Sequence, residues 1–170
     1  MSEHLWRKVK VFAQFFSGIL VIGVMVFGGL MIFKAKKSRE NKNWVQGLQN
    51  GSLAPCSGEK PNCVSSVNSE DQTQNYVPPI EAQSSEELET LWTQASQTLQ
   101  SLGFDIVVSS ENYLHATETS PLLGFVDDIE FFKNLASQRI EIRSASRVGY
   151  SDLGANRKRV LHIRKKMALK

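Results

Sequence analysis

The residue types that most often build metal and catalytic sites are scarce in this chain. It has two cysteines, Cys56 and Cys63, and three histidines among 170 residues. Six residues separate the cysteines, which is outside the usual zinc-ligand spacing, and His162 lies in a strongly basic segment, so no metal site is predicted. No glycine-rich phosphate loop occurs, so no nucleotide is indicated. The sequence therefore predicts no cofactor.

A large excess of either charge is also missing. The chain carries 20 basic and 17 acidic residues, for a formal net charge of +3. Such a balance does not attract nucleic acid by itself, and aromatic residues do not alternate with the basic ones. No nucleic-acid partner is predicted.

Charges are absent altogether from one long apolar run, residues 11–33. These residues would form a helix of roughly 35 Å, enough to cross a hydrocarbon core of about 30 Å. The run is longer than the apolar core of a signal peptide, and no small-residue cleavage site closes it. We therefore predict a single transmembrane helix at 11–33, after a tail at 1–10. A basic juxtamembrane linker at 34–44 and one soluble domain at 45–170 follow.

The soluble part opens with an irregular arm, residues 44–83, which is rich in Ser, Asn, Gln, Gly and Pro. A helix is predicted at 85–102, because Ser84 and Glu87 form a capping box and apolar residues recur at helical spacing. Strand-like segments follow at 104–108, 113–119, 125–132 and 139–146.

A last helix is predicted to begin near Ser151 and Asp152. Its apolar line comprises Leu153, Val160, Ile163 and Met167. Its outer face is basic, which suits either solvent or anionic lipid headgroups. The expected fold class is α+β, a small antiparallel sheet with helices packed on one face.

Three alternatives are open for the cysteines. Cys56 and Cys63 can form a disulfide, which an oxidising compartment would favour, or remain reduced structural thiols. Alternatively, Cys63 is a nucleophile, with His115 as its base and Asp127 or Asp128 orienting the imidazole. The weak catalytic candidates are thus Cys63, His115 and Asp128, and the plainer interpretation of His115 is a structural imidazole in a strand.

Carboxylates and guanidinium groups are matched in the second half of the chain. Asp127, Asp128 and Glu130 are expected to pair inside the fold with arginines 143, 147 and 157, because buried carboxylates are rarely left unpaired. The alternative is a pocket for an anionic ligand, in which forked guanidinium donors bind and neutral polar groups orient. Its candidate binding residues are Arg143, Ser144, Arg147, Asn156 and Arg157, with Ser146 beside them.

Several segments together resemble the domain of unknown function 1499 family. They are residues 51–56 (GSLAPC), 61–66 (PNCVSS), 113–116 (YLHA), 125–130 (FVDDIE) and 143–154 (RSASRVGYSDLG), continued by Asn156 and Arg157. The resemblance covers about residues 45–168. It implies a fold and a motif set but no activity, and similar proteins look exported or lipid-anchored.

The side of the membrane is predicted from two opposing signals. Three basic residues precede the apolar run and five follow it, which mildly favours a cytoplasmic domain. The cysteine pair and the family resemblance favour the periplasm, and we give them more weight. The chain is therefore expected in the bacterial inner membrane with a periplasmic domain.

The expected function is a non-enzymatic binding or accessory module at the bacterial envelope. Its expected partners are the lipid bilayer and a protein or anionic envelope ligand, and no oligomeric state is predicted. The alternative is a hydrolase or thiol enzyme that uses Cys63 and His115 on an anionic substrate.

Overall fold

The computed structural model describes residues 3–41 and 47–168, and it opens with one long helix. This helix, α1, spans Glu3–Glu40 and so continues through the first part of the predicted linker. Its segment Trp6–Glu40 is long and apolar enough to cross a membrane, with a mean hydropathy of 2.4 in its most apolar window. Predictions that involve Lys42, Trp44 or Lys170 fall outside the described residues.

The last turns of α1 bury one side of the helix, while the other side chains there stay exposed. Most described side chains before residue 34 are exposed, whereas Ala35 and Ser38 are fully buried against the rest of the protein. The Ser38 hydroxyl accepts a hydrogen bond from the Val126 amide at 3.0 Å and donates to the Val126 carbonyl at 3.3 Å. The domain is therefore docked directly on the end of the apolar helix.

The domain is built on one antiparallel sheet of six described strands. They are β3 (Cys63–Ser65), β4 (Ile80–Glu81), β5 (Asp105–Ser109), β6 (Tyr113–Thr119), β7 (Val126–Asn134) and β8 (Arg139–Ser146). The order is β5-β6-β7-β8, and the short β3 and β4 both pair with the outer edge of β8. A separate hairpin consists of β1 (Leu48–Gln49) and β2 (Ser52–Leu53).

Two helices pack on one face of this sheet, α2 (Ser85–Ser101) and α3 (Ala155–Ala168). The apolar side chains between them and the sheet form the main core. They are Val64, Leu88, Ala95, Leu99, Leu114, Ile129, Phe131, Ile140, Ile142, Val160, Ile163 and Met167, with a few neighbours. The predicted α+β fold, with helices on one face of a small antiparallel sheet, is confirmed.

Local sequence signals set most element ends. Strands β6 and β8 have the predicted bounds, and α2 begins after its predicted cap, where the Ser84 hydroxyl accepts from the Glu87 amide. The Glu87 carboxylate accepts in turn from the amide of Gln83, so the reciprocal bond of the predicted capping box is made to the residue before the cap. Gly103, at a φ of 79°, ends the helix in the left-handed conformation that glycine adopts without strain.

The predicted start of the last helix is wrong for a local reason. The Asp152 carboxylate accepts hydrogen bonds from the amides of Gly154 and Asn156, so α3 begins only at Ala155. Leu153 precedes the helix with a φ of 55° and is 87% exposed, so its predicted place in the apolar line is also wrong. Val160, Ile163 and Met167 are buried as predicted.

The opposite face of the sheet is also covered, although no packed helix pair lies on it. The cover consists of the β1–β2 hairpin, the segment 54–56 and the last turns of α1. Leu53 and Ala54 are almost fully buried there. The first part of the predicted irregular arm therefore closes the second face of the sheet.

Candidate functional site

Charged residues lie in rows across the covered face of the sheet. The strand register places His115 opposite Glu130 and Glu130 opposite Arg143, while Asp128 lies in the neighbouring row. Directly paired residues of antiparallel strands point to the same face, here the face away from α2 and α3. All four side chains are buried.

Glu130 is the centre of the first row. Its carboxylate accepts hydrogen bonds from Arg143 Nη1 at 2.6 Å, from the Tyr113 hydroxyl at 2.7 Å and from the Gly47 amide at 3.0 Å. Burial, followed by the charge and hydrogen bond of Glu130, raises the pKa of Tyr113, so the phenol stays a donor at physiological pH. The Glu130 carboxylate of β7 thus connects the neighbouring strands β6 and β8 to Gly47, in the segment that covers this face.

Asp128 is the centre of the second row. Arg147 binds it with two donors, Nε to Oδ2 at 2.7 Å and Nη2 to Oδ1 at 2.9 Å. His115 Nε2 lies 2.7 Å from the same Oδ1. A forked guanidinium contact of this kind fixes the direction of both side chains. The predicted internal carboxylate–guanidinium network is therefore present, and it includes the buried imidazole.

Glu141 fixes the cover from the other end of the face. Its carboxylate accepts from the Ser52 hydroxyl at 2.6 Å, the Leu53 amide at 3.1 Å and Asn134 Nδ2 at 3.0 Å. These bonds satisfy a carboxylate that is 1% exposed. The cover is thus attached to the sheet by polar contacts as well as by Leu53.

A cavity of about 760 Å³ opens beside the two charged rows, at the end where α1 docks. We call it the basic pocket. Its walls come from the end of α1, from the segment around the cysteines and from residues 143–149. The cationic lining residues are Lys34, Lys37, Lys60, Arg143 and Arg147, and among the described residues no carboxylate lines it.

Carboxylates of the described residues balance two of the five positive charges of the basic pocket. Glu130 and Asp128 lie behind Arg143 and Arg147 and compensate those two charges. Within the described parts of the chain, no ion pair involves Lys34, Lys37 or Lys60. About three positive charges therefore remain in excess, a potential that attracts anions.

The two cysteines form a disulfide on the wall of the basic pocket. The Cys56 amide donates to Asn68 Oδ1 at 2.8 Å, and Asn68 Nδ2 donates to the Cys56 carbonyl at 3.2 Å. Cys63 begins β3 and pairs with Ala145 of β8. The bond therefore attaches the segment before β3 to the sheet edge, as the disulfide interpretation predicts.

The three weak catalytic candidates lie on one face but do not form a triad in this state. His115 and Asp128 are in contact, whereas the Cys63 sulfur is bonded to Cys56. Cys63 of β3 is paired with Ala145 of β8, and Ala145 is paired with Asp128 of β7. Two strand spacings therefore separate Cys63 from Asp128, roughly 10 Å. What remains is a buried His–Asp–Arg group, and Cys63 offers it no free thiol.

The predicted binding residues divide between the two faces of the sheet. Arg143 and Arg147 line the basic pocket. Ser144 and Asn156 are on the helix face, where the serine hydroxyl donates to Asn156 Oδ1 at 2.7 Å. The Asn156 amide group donates to the Asn62 carbonyl and to the Ser146 hydroxyl. The structure thus brings two of the five predicted binding residues to the pocket.

Arginines of α3 have structural partners. Arg157 donates to the carbonyls of Thr73 and Gln74 rather than to the predicted carboxylates. Arg159 pairs with Asp127 at 2.6 Å and with Glu118 at 2.7 Å. Arg164 donates to the carbonyls of Pro78 and Pro79, and burial lowers its pKa. These arginines of α3 are therefore used in contacts within the domain. The lysines are the basic residues that remain on the outer face of the helix.

Sequence reasoning missed Lys34, Lys37 and Lys60 as pocket residues. The first two read as an interfacial stop after the apolar run, and Lys60 lies in the loop between the cysteines. If the transmembrane helix is continued past Phe33, Lys34 and Lys37 are three positions apart and lie on the same side of α1. That spacing is the sequence signal that could have placed them together. Nothing in the sequence indicates that Lys60 faces them.

The described residues hold no group of three or more His, Cys, Asp or Glu side chains that could bind a metal ion. Comparison with known proteins gives one result: a family model described as "Protein of unknown function (DUF1499)" matches residues 52–167. No curated protein and no solved structure matches the chain. The match extends from β2 to α3 and includes both charged rows and the disulfide, so the chain belongs to the DUF1499 family.

Proposed function

We propose that this protein is a non-enzymatic binding module, held in the bacterial inner membrane by α1, that binds an anionic group in the basic pocket. The observation that carries the proposal is the lining of that pocket, five cations and no carboxylate among the described residues. An anionic group there would meet the guanidinium groups of Arg147 and Arg143, which Asp128 and Glu130 already fix in direction. Such preorganisation lowers the entropy lost on binding.

The position of the pocket favours a ligand at the membrane surface. Lys34 and Lys37 follow the apolar run of α1 directly and line the pocket from the membrane side. Lysines at this level meet phosphate groups of anionic lipids, which also attract them electrostatically. The shared chemistry is a phosphate-type anion, whether it belongs to a lipid headgroup or to a soluble molecule.

A periplasmic location is part of the proposal. The Cys56–Cys63 bond supports it, because disulfides persist in oxidising compartments and are rare in the bacterial cytosol. The same bond weighs against the alternative of a thiol enzyme, since Cys63 offers no thiolate while it is bonded. The binding module therefore has the better support.

Lysine acylation measured by mass spectrometry tests the pocket. Full-length protein is reconstituted in neutral phosphatidylcholine nanodiscs, in nanodiscs that also contain phosphatidylglycerol, and in neutral nanodiscs with inorganic phosphate. We expect Lys37 and Lys60 to react more slowly in at least one anionic arm. Protection by phosphatidylglycerol alone identifies a headgroup, and protection by inorganic phosphate identifies a soluble anion. Unchanged rates in both arms would overturn the proposal.

Neighbouring lysines of α1 give a matched control. Lys36 is next to Lys37 in α1, but its ammonium lies 3.8 Å from Glu40 and it does not line the pocket. Lys37→Glu is expected to weaken anion binding by about tenfold or more, since one charge-assisted contact becomes a repulsion. Lys36→Glu should change it by less than about twofold. Equal effects of the two substitutions would indicate general surface attraction instead of a site.

A further inference from the structure

Two loops beside the end of α1 expose large apolar side chains. The first is residues 120–125 and the second is residues 149–153; we call them the apolar loops. Leu122 is 90% exposed in the first, and Tyr150 and Leu153 are 69% and 87% exposed in the second. Such side chains, grouped and directed outward, are typical of a contact surface.

The backbone of each loop holds these side chains out. In the first loop the Gly124 amide donates to the Ser120 carbonyl at 2.9 Å, and the Phe125 amide to the Ser120 hydroxyl at 2.9 Å. This closed turn leaves Leu122 at its tip. In the second loop Leu153 has a φ of 55°, a conformation that β-carbon sterics disfavour and that the Asp152 contacts impose.

Both loops border the same cleft as the apolar helix. A cavity of about 480 Å³ is lined by Phe125 of the first loop, by Tyr150 and Leu153 of the second, and by Met31 and Lys34 of α1. Met31 belongs to the uncharged run that is long enough to cross a membrane. Loops that share a cleft with Met31 therefore lie at the level where that run meets the bilayer surface.

We propose that the apolar loops are a second membrane-contact surface, which places Leu122, Tyr150 and Leu153 in the lipid–water interface beside α1. The inference rests on the proposed function in that α1 must span the bilayer. Tyrosine prefers this interface, and leucine side chains enter the acyl boundary below it. With α1 as one attachment and the loops as a second, the domain keeps one orientation, and the basic pocket stays at headgroup level.

Single reporter cysteines in the full-length protein test the proposal. The native cysteines are bonded to each other, so an environment-sensitive NBD label reacts only with the introduced thiol. The test variants are Leu122→Cys and Tyr150→Cys. The control is Leu135→Cys, an apolar position just after β7 that is 60% exposed. Strand β7 runs from Val126, which is bonded to Ser38, to Asn134, so Leu135 lies roughly 25–30 Å from the docked end.

The proteins are reconstituted in phosphatidylcholine vesicles with and without a nitroxide-labelled lipid. Probes at 122 and 150 should emit at shorter wavelength than the probe at 135, and the nitroxide lipid should quench them at least about twofold while leaving 135 unchanged. Emission at 122 and 150 that matches 135 would overturn the inference. A shift without lipid quenching would also overturn it, because the loops would then be covered by protein, such as a second copy of the chain.

A fourth reporter separates this inference from the anchor itself. Phe16→Cys lies within the apolar run and is exposed on α1. Quenching at 16 together with water-like emission at 122 and 150 refutes the loop contact and leaves the anchor standing. Absence of quenching at 16 refutes both, since α1 would then lie outside the bilayer.

Discussion

Glu130→Ala is expected to lower the free energy of unfolding by about 3–5 kcal/mol, because it leaves a buried positive charge without its facing carboxylate. Glu130 is fully buried and accepts from Arg143, Tyr113 and the Gly47 amide. The substitution removes an acceptor from all three donors at once, and a buried donor without an acceptor is destabilising. Urea unfolding of the full-length protein in detergent micelles measures the loss.

A second glutamate provides the matched control. Glu118 also accepts from an arginine, Arg159, at 2.7 Å, but its side chain is 50% exposed. Glu118→Ala should cost only about 0–1 kcal/mol, because Glu118 is half exposed and Arg159 keeps its pair with Asp127 and its hydrogen bonds to Ser144 and Asn156. Glu130→Gln keeps an acceptor oxygen and should fall between the two. If Glu130→Ala and Glu118→Ala cost the same, burial is not what gives the Glu130 contacts their strength.

The two charged rows contribute more to the orientation of their arginine side chains than to the stability of the fold. Replacing a whole buried ion pair by apolar residues is often neutral or stabilising, so the pairs themselves are weak evidence of a stability role. Their geometry has a clearer consequence, since Glu130 and Asp128 orient Arg143 and Arg147 at the wall of the basic pocket. We infer that the network mainly fixes the position of these two cations, as the proposed anion site requires.

Strand and helix patterns predicted the helix face of the sheet well. Alternation in the predicted strand 139–146 puts Ile140, Ile142 and Ser144 on one side and Glu141 and Arg143 on the other, and the first three lie in or beside the core under α2 and α3. The burial of Glu141 and Arg143 on the other side did not follow from that pattern. Polar residues at alternate positions normally face water. Here a hairpin of two-residue strands covers them, and strands that short have no periodicity to detect.

The candidate site was predictable in chemistry but not in position. Matched carboxylates and arginines indicated internal pairs, yet strand register and helix phase chose the partners, so Asp127 binds Arg159 and not Arg157. The basic pocket combines the end of α1 with the loop that holds Lys60 and with the end of β8 and the residues after it. These three segments are far apart in the sequence and meet only because of the topology of the fold. Local sequence patterns do not predict such a meeting.

Loss of the disulfide is the second large effect we expect. Cys56 and Cys63 are seven positions apart, and closing a loop of that size contributes about 2.5 kcal/mol through the entropy of the unfolded chain. The double variant Cys56→Ala, Cys63→Ala should lose this amount, and alanine avoids burying unpaired hydroxyls at two nearly buried positions. Reductant should destabilise the native protein by a similar amount and leave the double variant unchanged. A reductant effect on the double variant would show that the loss has another origin.

The same double variant separates the two functional hypotheses. A binding module needs the disulfide only to hold the pocket wall, so anion protection of Lys37 should survive at temperatures where the variant is folded. A thiol enzyme would lose all activity with Cys63. Alkylation of the native protein in unreduced cell extracts adds the test of location, because a periplasmic domain should yield no free thiol. Free cysteines in freshly trapped protein would place the domain in the cytosol and restore Cys63 as a nucleophile, about 10 Å from the His115–Asp128 pair.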